Sequence, residues 1–169
     1  MTILVDSQIL ELLKKQELVI EPFDEKCMQP AGYDLRLGEE ALVFEDKNYQ
    51  KIKIENEIII QPKKQVAIST LERVRLPPTL VGDIKIRSSF AREGLIGSFG
   101  WVDPGFDGHL TTTVFNSGFL PIKIGKGERI IQIAFHKLEQ VPTKTYAGLY
   151  QKSVGVVPSK RNNLPATKC

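Results

Sequence analysis

Cysteine is scarce in this chain. Of 169 residues only Cys27 and Cys169 are cysteine, and they form no spaced motif. A disulfide framework is not expected, and a reducing cytoplasm fits better. Histidine is equally scarce, with His109 and His136 the only two. Neither has a second ligand at helical spacing, so a zinc centre is not expected and both read as ordinary strand residues. No run of about 18 apolar residues occurs, which argues against a membrane span. The N-terminus lacks the charged start and apolar block of a signal peptide. An excess of one charge is missing too. The net charge is +3, and the basic residues are interleaved with acids, as in Lys51-Ile-Lys-Ile-Glu55. That pattern reads as solvated strand faces and makes nucleic acid an unsuitable main partner.

What is present is the composition of one globular domain, 41% apolar and 25% charged, long enough to bury a core. Residues 6–15 read as the one convincing helix, with Asp6 or Ser7 to cap it and Ile9, Leu10, Leu12 and Leu13 on its apolar face. After Pro22, short runs rich in Val, Ile, Thr and Phe alternate with turn residues. Strands are expected near 18–21, 33–37, 41–45, 57–61, 65–71, 80–86, 109–116, 120–124 and 129–136. Breakers such as Gly38, Pro62, Pro77-Pro78, Pro104-Gly105 and Gly125-Lys-Gly127 separate them. So many strands with so little helix predict an antiparallel barrel or sandwich. Residues 1–157 read as one domain, and the polar stretch 158–169 as a mobile tail.

Three segments carry chemistry. Arg87-Ser88-Ser89 follows a predicted strand, with Arg92 five residues beyond Arg87. Planar guanidinium forks and small hydroxyls at a strand end suit a triphosphate. Gly100-Trp-Val-Asp103-Pro-Gly-Phe106-Asp-Gly108 has the composition of a hairpin lip, and its glycines permit close backbone approach. There Asp103 is restricted by its neighbours and able to orient a water or bind a sugar hydroxyl. Phe106 is placed to stack under a deoxyribose. In Gly127-Glu-Arg-Ile-Ile-Gln132, the glutamine interrupts an apolar strand and needs a partner if buried. Asp34, at a strand entry, is able to hold a water of a magnesium ion.

Taken in order, these segments resemble the superfamily of trimeric dUTPases and dCTP deaminases. The resemblance spans roughly residues 1–156. Ala31-Gly-Tyr-Asp34-Leu35 is similar to the motif whose Asp acts through magnesium-bound water. Arg87-Ser-Ser-Phe-Ala91 is similar to the phosphate motif, and Gly100 to Gly108 to the catalytic motif. Gly127 to Gln132 is like the fourth motif, and Asn116-Ser-Gly118 is a further match to the family. The resemblance implies an all-β fold, a distorted antiparallel β-barrel of the dUTPase-like or β-clip type with a short N-terminal helix. It implies a homotrimer with sites at subunit interfaces, a pyrimidine deoxynucleoside triphosphate substrate and Mg2+ as cofactor. It also implies residue roles. Asp103 is catalytic; Arg87, Ser88, Ser89, Arg92, Gln132 and Gln151 hold phosphate. Phe99, Gly100, Phe106, Thr111, Thr112 and Thr113 meet base and sugar, and Asp34 serves the metal through water. The tail from Pro158 reads as a frayed end or as a flap closing over bound nucleotide.

Within the superfamily the chain leans two ways. The N-terminal helix, Arg92 and Tyr150-Gln-Lys-Ser153 look like the deaminase branch, and the glycine-rich arm of dUTPases is missing. Yet deaminases of this kind carry a proton-moving glutamate three residues before the Asn-Ser-Gly asparagine, where this chain has Thr113. A threonine hydroxyl is too weak an acid to act as general acid–base near pH 7. Ala147 stands where the family has a phosphate-binding lysine, for which Lys144 or Lys152 are the substitutes. Thr113 therefore favours dUTP diphosphatase, converting dUTP to dUMP and diphosphate, lowering dUTP and supplying dUMP for thymidylate synthesis. The alternative is a zinc-independent dCTP deaminase, alone or bifunctional, with Glu93 or Glu128 as candidate acid–bases; a non-catalytic nucleotide-binding protein is the third reading.

Overall fold

The computed structural model describes residues 2–45 and 48–161. In chain order the elements are β1 (Thr2–Ile3), α1 (Asp6–Lys14), β2 (Val19–Glu21), a 3-10 turn (Glu25–Cys27), β3 (Met28–Gln29), β4 (Gly32–Glu45), β5 (Asn48–Lys53), β6 (Glu57–Ile60), β7 (Gln65–Arg75), β8 (Leu80–Ile86), α2 (Ser88–Arg92), β9 (Leu95–Ser98), β10 (Trp101–Val102), β11 (Asp107–Asn116), β12 (Ile122–Gly125) and β13 (Arg129–Lys137). The main sheet runs β10-β8-β13-β4-β7-β11-β9, with β1, β2, β3 and β5 as short additions; β6 and β12 form a separate ribbon. All pairings are antiparallel. The sheet curls into a distorted half-barrel around a core that includes Tyr33, Leu35, Leu37, Ile68, Ile133 and Phe135. This is the all-β fold expected from the sequence.

Strand β4 joins the two halves of the sheet. Its first part pairs with β13 and its second with β5 and β7. The expected break at Gly38 between two strands does not occur, because the register shifts there and the strand continues. A side chain at Gly38 would meet Ser69 Oγ at 2.7 Å and Thr70 O at 2.8 Å, so glycine permits a close crossing rather than ending the strand.

Other expectations change as well. Residues 88–92 form a helix where a turned strand end was expected; it stops at Gly94, whose φ is +95°. The N-cap of α1 is Val5, not Asp6 or Ser7, and Gln8 Oε1 accepts from Val5 N at 3.1 Å. Ile9 is buried and Leu12 and Leu13 pack against the core, but Leu10 is exposed. Strand β5 escaped the sequence pattern because it is nearly all polar; among the described residues it pairs with β4 alone. Strands β1, β3, β9 and β10, at two to four residues, are too short to show a period. Among the described residues no helix is long and apolar enough to cross a membrane. The expected tail is described only through Arg161; residues 162–169, Cys169 among them, lie outside the described residues.

Candidate functional site

A cavity of about 460 Å³ opens at the junction of β11, the β9–β10 connection and the C-terminal segment. Its floor is one face of β11. Along that strand residues alternate between half-buried and buried, so His109, Thr111 and Thr113 share the face toward the cavity. A register shift between His109 and Thr111 interrupts the ladder with β7, and Leu110 N donates to Thr70 Oγ1 at 3.0 Å instead. Such bulges re-aim side chains beside functional sites.

The wall carrying Asp103 is a tight turn. Phe106 N donates to Asp103 O at 3.1 Å, with Pro104 and Gly105 in the middle and Gly105 at φ +83°. Proline followed by a residue of positive φ is the chemistry of a type II turn. The turn is clamped from outside. Tyr146 N donates to Pro104 O at 2.8 Å, and Gln151 Nε2 to Gly105 O at 2.8 Å. Asp103 is left exposed on the cavity wall, while Phe106 is buried against Tyr146, ring centroids 5.7 Å apart. At the strand base, Arg73 grips Asp107 bidentately, Nε to Oδ1 at 2.7 Å and Nη2 to Oδ2 at 2.9 Å.

Of the residues expected at the site, Phe99, Gly100, Asp103, Phe106, Thr111 and Thr113 come together here. Thr112 does not. It points to the opposite face, is buried, and donates to Ser98 O at 2.7 Å. The residues expected to hold phosphate lie elsewhere in the chain. Ser88, Ser89 and Arg92 are exposed on α2 and none lines the cavity. Gln132 faces solvent, so no buried partner is needed. Gln151 is engaged within the fold, its Oε1 accepting from Asp107 N at 2.9 Å. It braces the turn that carries Asp103.

Asp34 is buried in a cationic setting. Arg87 Nε lies 3.0 Å and Arg129 Nη1 3.7 Å from its Oδ2. The N–H vectors are off-line, so that oxygen accepts no aligned hydrogen bond. Burial pushes the carboxyl above its usual range, against the pull of the two arginines. Two guanidiniums already face its charge, and no group of three or more metal-ligating side chains occurs among the described residues. In the described structure Asp34 is thus the ion-pair partner of two guanidiniums.

Sequence reasoning missed His109, Ser98, Tyr146, Tyr150 and Val157, all of which line the cavity, as do Pro158 and Ser159 at the start of the tail read as a frayed end or a flap. His109 was within reach, because it alternates with Thr111 and Thr113. Its Nδ1 accepts from Gly155 N at 3.0 Å, so the ring proton sits on Nε2. Burial and the neighbouring Arg73 hold its pKa below the ordinary imidazole value, against a smaller opposing effect of Glu40. Asn116, by contrast, is an internal fastener: its Nδ2 donates to Ile60 O at 2.9 Å and Leu120 O at 2.8 Å, and its Oδ1 accepts from Gly118 N.

Residues 3–138 match the model of the dCTP deaminase-like family. The chain belongs to that family. A dCTP deaminase of Thermococcus sibiricus is 50% identical over 147 residues, covering 87% of this chain and 93% of the relative. A "dCTP deaminase, dUMP-forming" of Aquifex aeolicus is 37% identical, covering 94% of each chain. Among solved structures, the 2'-deoxycytidine 5'-triphosphate deaminase of Agrobacterium tumefaciens superposes with a TM-score of 0.70 at 21% identity, over 80% of this chain and 48% of that one. This chain therefore spans about half that structure. A dUTPase of the Staphylococcus aureus phage phi11 superposes at 0.52 with 16% identity, over 79% of this chain and 98% of that one. These two likenesses bear on the fold alone.

The expectation that the chain is a dUTP diphosphatase is overturned by the dCTP deaminase-like relatives. That expectation rested on one position, Thr113, while relatives named dCTP deaminase match nearly the whole length. A missing glutamate at one strand position does not by itself fix the reaction. A fold brings acid–base groups to a cavity from more than one strand, and here Asp103 and His109 both line it. Glu93 and Glu128, weighed as substitutes from sequence, do not.

Proposed function

We propose that this protein deaminates dCTP hydrolytically: water adds to C4 of cytosine, the amino group leaves as ammonia, and dUTP is formed. The observation that carries this is the end-to-end similarity to dCTP deaminases at 50% identity, joined to a cavity that is the size of a ligand pocket. Asp103 is the one carboxylate lining that cavity among the described residues. It is the group to take the proton from the attacking water and return it toward the leaving amine. Thr113 supplies a hydroxyl that donates or accepts, and Phe106 backs the sugar. Tyr146 and the β9–β10 connection help exclude water from the base.

Because α2 does not reach the cavity within one protomer, the proposal includes a homotrimer. In it, Arg87, Ser88, Ser89 and Arg92 of one subunit hold the triphosphate above the cavity of another. Exposed apolar side chains, Phe119 at 89%, Leu120 at 78% and Ile96 at 54%, are available for such contacts. Magnesium enters as the counter-ion carried by the triphosphate, where it would offset phosphate charge. The protein would act in the cytoplasm on free nucleotide.

The test is a product assay with dCTP and magnesium, nucleotides separated by anion exchange and ammonia measured in parallel. Stoichiometric ammonia with a uracil nucleotide is expected; dUMP as that nucleotide would align the chain with its dUMP-forming relatives. Intact dCTP would reject the proposal. A second check is Thr113→Glu, which puts a carboxylate on the cavity face of β11. We expect kcat for dCTP to rise by about tenfold, since positioned acid–base groups contribute at least that much. A fall would mean that the threonine hydroxyl itself is used.

A further inference from the structure

The C-terminal segment after β13 returns across β11 and is tied to it by side chains that the proposed chemistry leaves unassigned. His109 N donates to Ser153 O at 2.9 Å, and Ser153 Oγ donates back to His109 O at 2.7 Å. Gly155 N donates to His109 Nδ1 at 3.0 Å, Val156 N to Glu40 Oε2 at 3.2 Å, and Val157 N to Thr111 Oγ1 at 3.1 Å. Val156 is 3% exposed, so the strap is packed as well as bonded. Gly155 has φ +61°, and a β-carbon there would run into the Glu40 carboxylate. Beyond this point Val157, Pro158 and Ser159 form part of the cavity wall. The cavity keeps about 460 Å³ with the strap in place, within the roughly 300–1,000 Å³ of ligand pockets. The strap is thus a wall, not a plug.

We propose that His109 is a positioning residue whose Nδ1 latches residues 153–159 over the cavity, so that protonating this nitrogen releases the strap and weakens nucleotide binding. The chemistry follows from the donor count. Neutral imidazole offers one acceptor, and Gly155 N–H uses it; the imidazolium offers two donors and sets N–H against N–H. The setting of the ring favours the neutral form. Arg73 of β7 is its register partner. Asp107, on its own strand, is spent on Arg73, and Glu40 of β4 is held by Lys51 of β5 at 2.7 Å. Asp103, Tyr49, Tyr146 and Tyr150 are the other titratable groups around the same cavity. The pKa depression of His109 agrees with this arrangement, and its sign places release on the acid side of the ordinary imidazole range. Glu40, lowered chiefly by its bond to Lys51, stays ionised until lower pH.

The test separates the latch from the reaction. Hydrogen exchange of the peptide covering residues 153–160, corrected for intrinsic rates, is followed from pH 8 to pH 4.5 in the ligand-free protein. Protection of the wild type is expected to fall with acid. His109→Asn retains an acceptor near the Nδ1 position but does not titrate, and its protection is expected to stay flat. His109→Leu should lose protection at every pH. Wild-type protection that is constant with pH, or a Leu variant as protected as wild type, would overturn the latch. None of these readouts needs a substrate. The second arm rests on the proposed deamination: KM for dCTP in the Leu variant should rise by about three- to tenfold, the worth of one or two hydrogen bonds, with kcat changing less. Intact latch behaviour with no turnover of dCTP would count against the reaction and leave the latch standing.

Discussion

Replacing Asp103 with Asn is expected to lower kcat for dCTP by roughly 10²- to 10⁴-fold, the range for removing a positioned acid–base group, while KM changes little. The substitution keeps size and hydrogen-bonding reach, so the turn should persist. The turn is held by backbone bonds from Phe106 and Tyr146 and by the side chain of Gln151, none of which uses the Asp103 carboxylate. Its exposure on the cavity wall means that no buried charge is lost with it. Steady-state kinetics with a fluorescence or calorimetric binding assay checks both halves of the expectation. A variant that turns over like wild type would remove Asp103 from the chemistry.

The second large effect concerns stability. Glu72 is fully buried on β7 and receives both Arg36 N at 2.9 Å and Arg36 Nε at 2.6 Å. Arg36 also reaches Pro22 O, which ties β4 and β7 to the segment before the 3-10 turn. Glu72→Ala leaves a mostly buried guanidinium with only the longer contact to Asp24 Oδ2, at 3.4 Å, as its carboxylate partner. A loss of about 3–5 kcal/mol is expected, because the buried charge is then largely uncompensated. For a chain of this length that is a drop of roughly 6–20 °C in Tm, measurable by calorimetry or denaturant unfolding. Unchanged stability would mean that water or another carboxylate replaces Glu72 freely.

The same pair has a pH signature. Burial raises the Glu72 pKa above its unfolded value, against the downward pull of Arg36. A carboxylate so shifted contributes stability that is complete below the unfolded pKa and lost as pH rises through the folded one. Glu72 is therefore no source of acid lability. Glu40, lowered by Lys51, has the opposite sign: its contribution is present at neutral pH and lost as pH falls through its folded pKa.

Local chemistry explains what was legible. The strand at 80–86 is the one expected, because a run rich in Leu, Val and Ile is bounded by Pro77-Pro78 before it and Arg87-Ser88 after it. The Asp103 turn was legible because proline and glycine specify it without help from the rest of the chain. Where competition was tertiary, the reading went astray. Gly38 reads as a break, yet two neighbouring strands hold the chain extended through it. Ser88 and Ser89 read as a turn, yet Phe90 is buried and draws the segment into a helix. Thr113 was read as deciding the reaction, although a single position does not fix which groups converge on a cavity.

By itself the sequence determined the all-β class, the order of the motifs and the placing of Asp103 in a rigid turn. These depend on side-chain period and on φ restrictions that act within a few residues. Only the tertiary structure decided that Gln151 braces that turn and that Asp34 is enclosed by Arg87 and Arg129. It alone decided that His109 and Thr111 hold a strap 46 residues further along the chain. Those bonds form between segments that meet because the sheet curls, and the hydrogen-bonding capacity of a histidine or glutamine does not say which distant backbone group will use it.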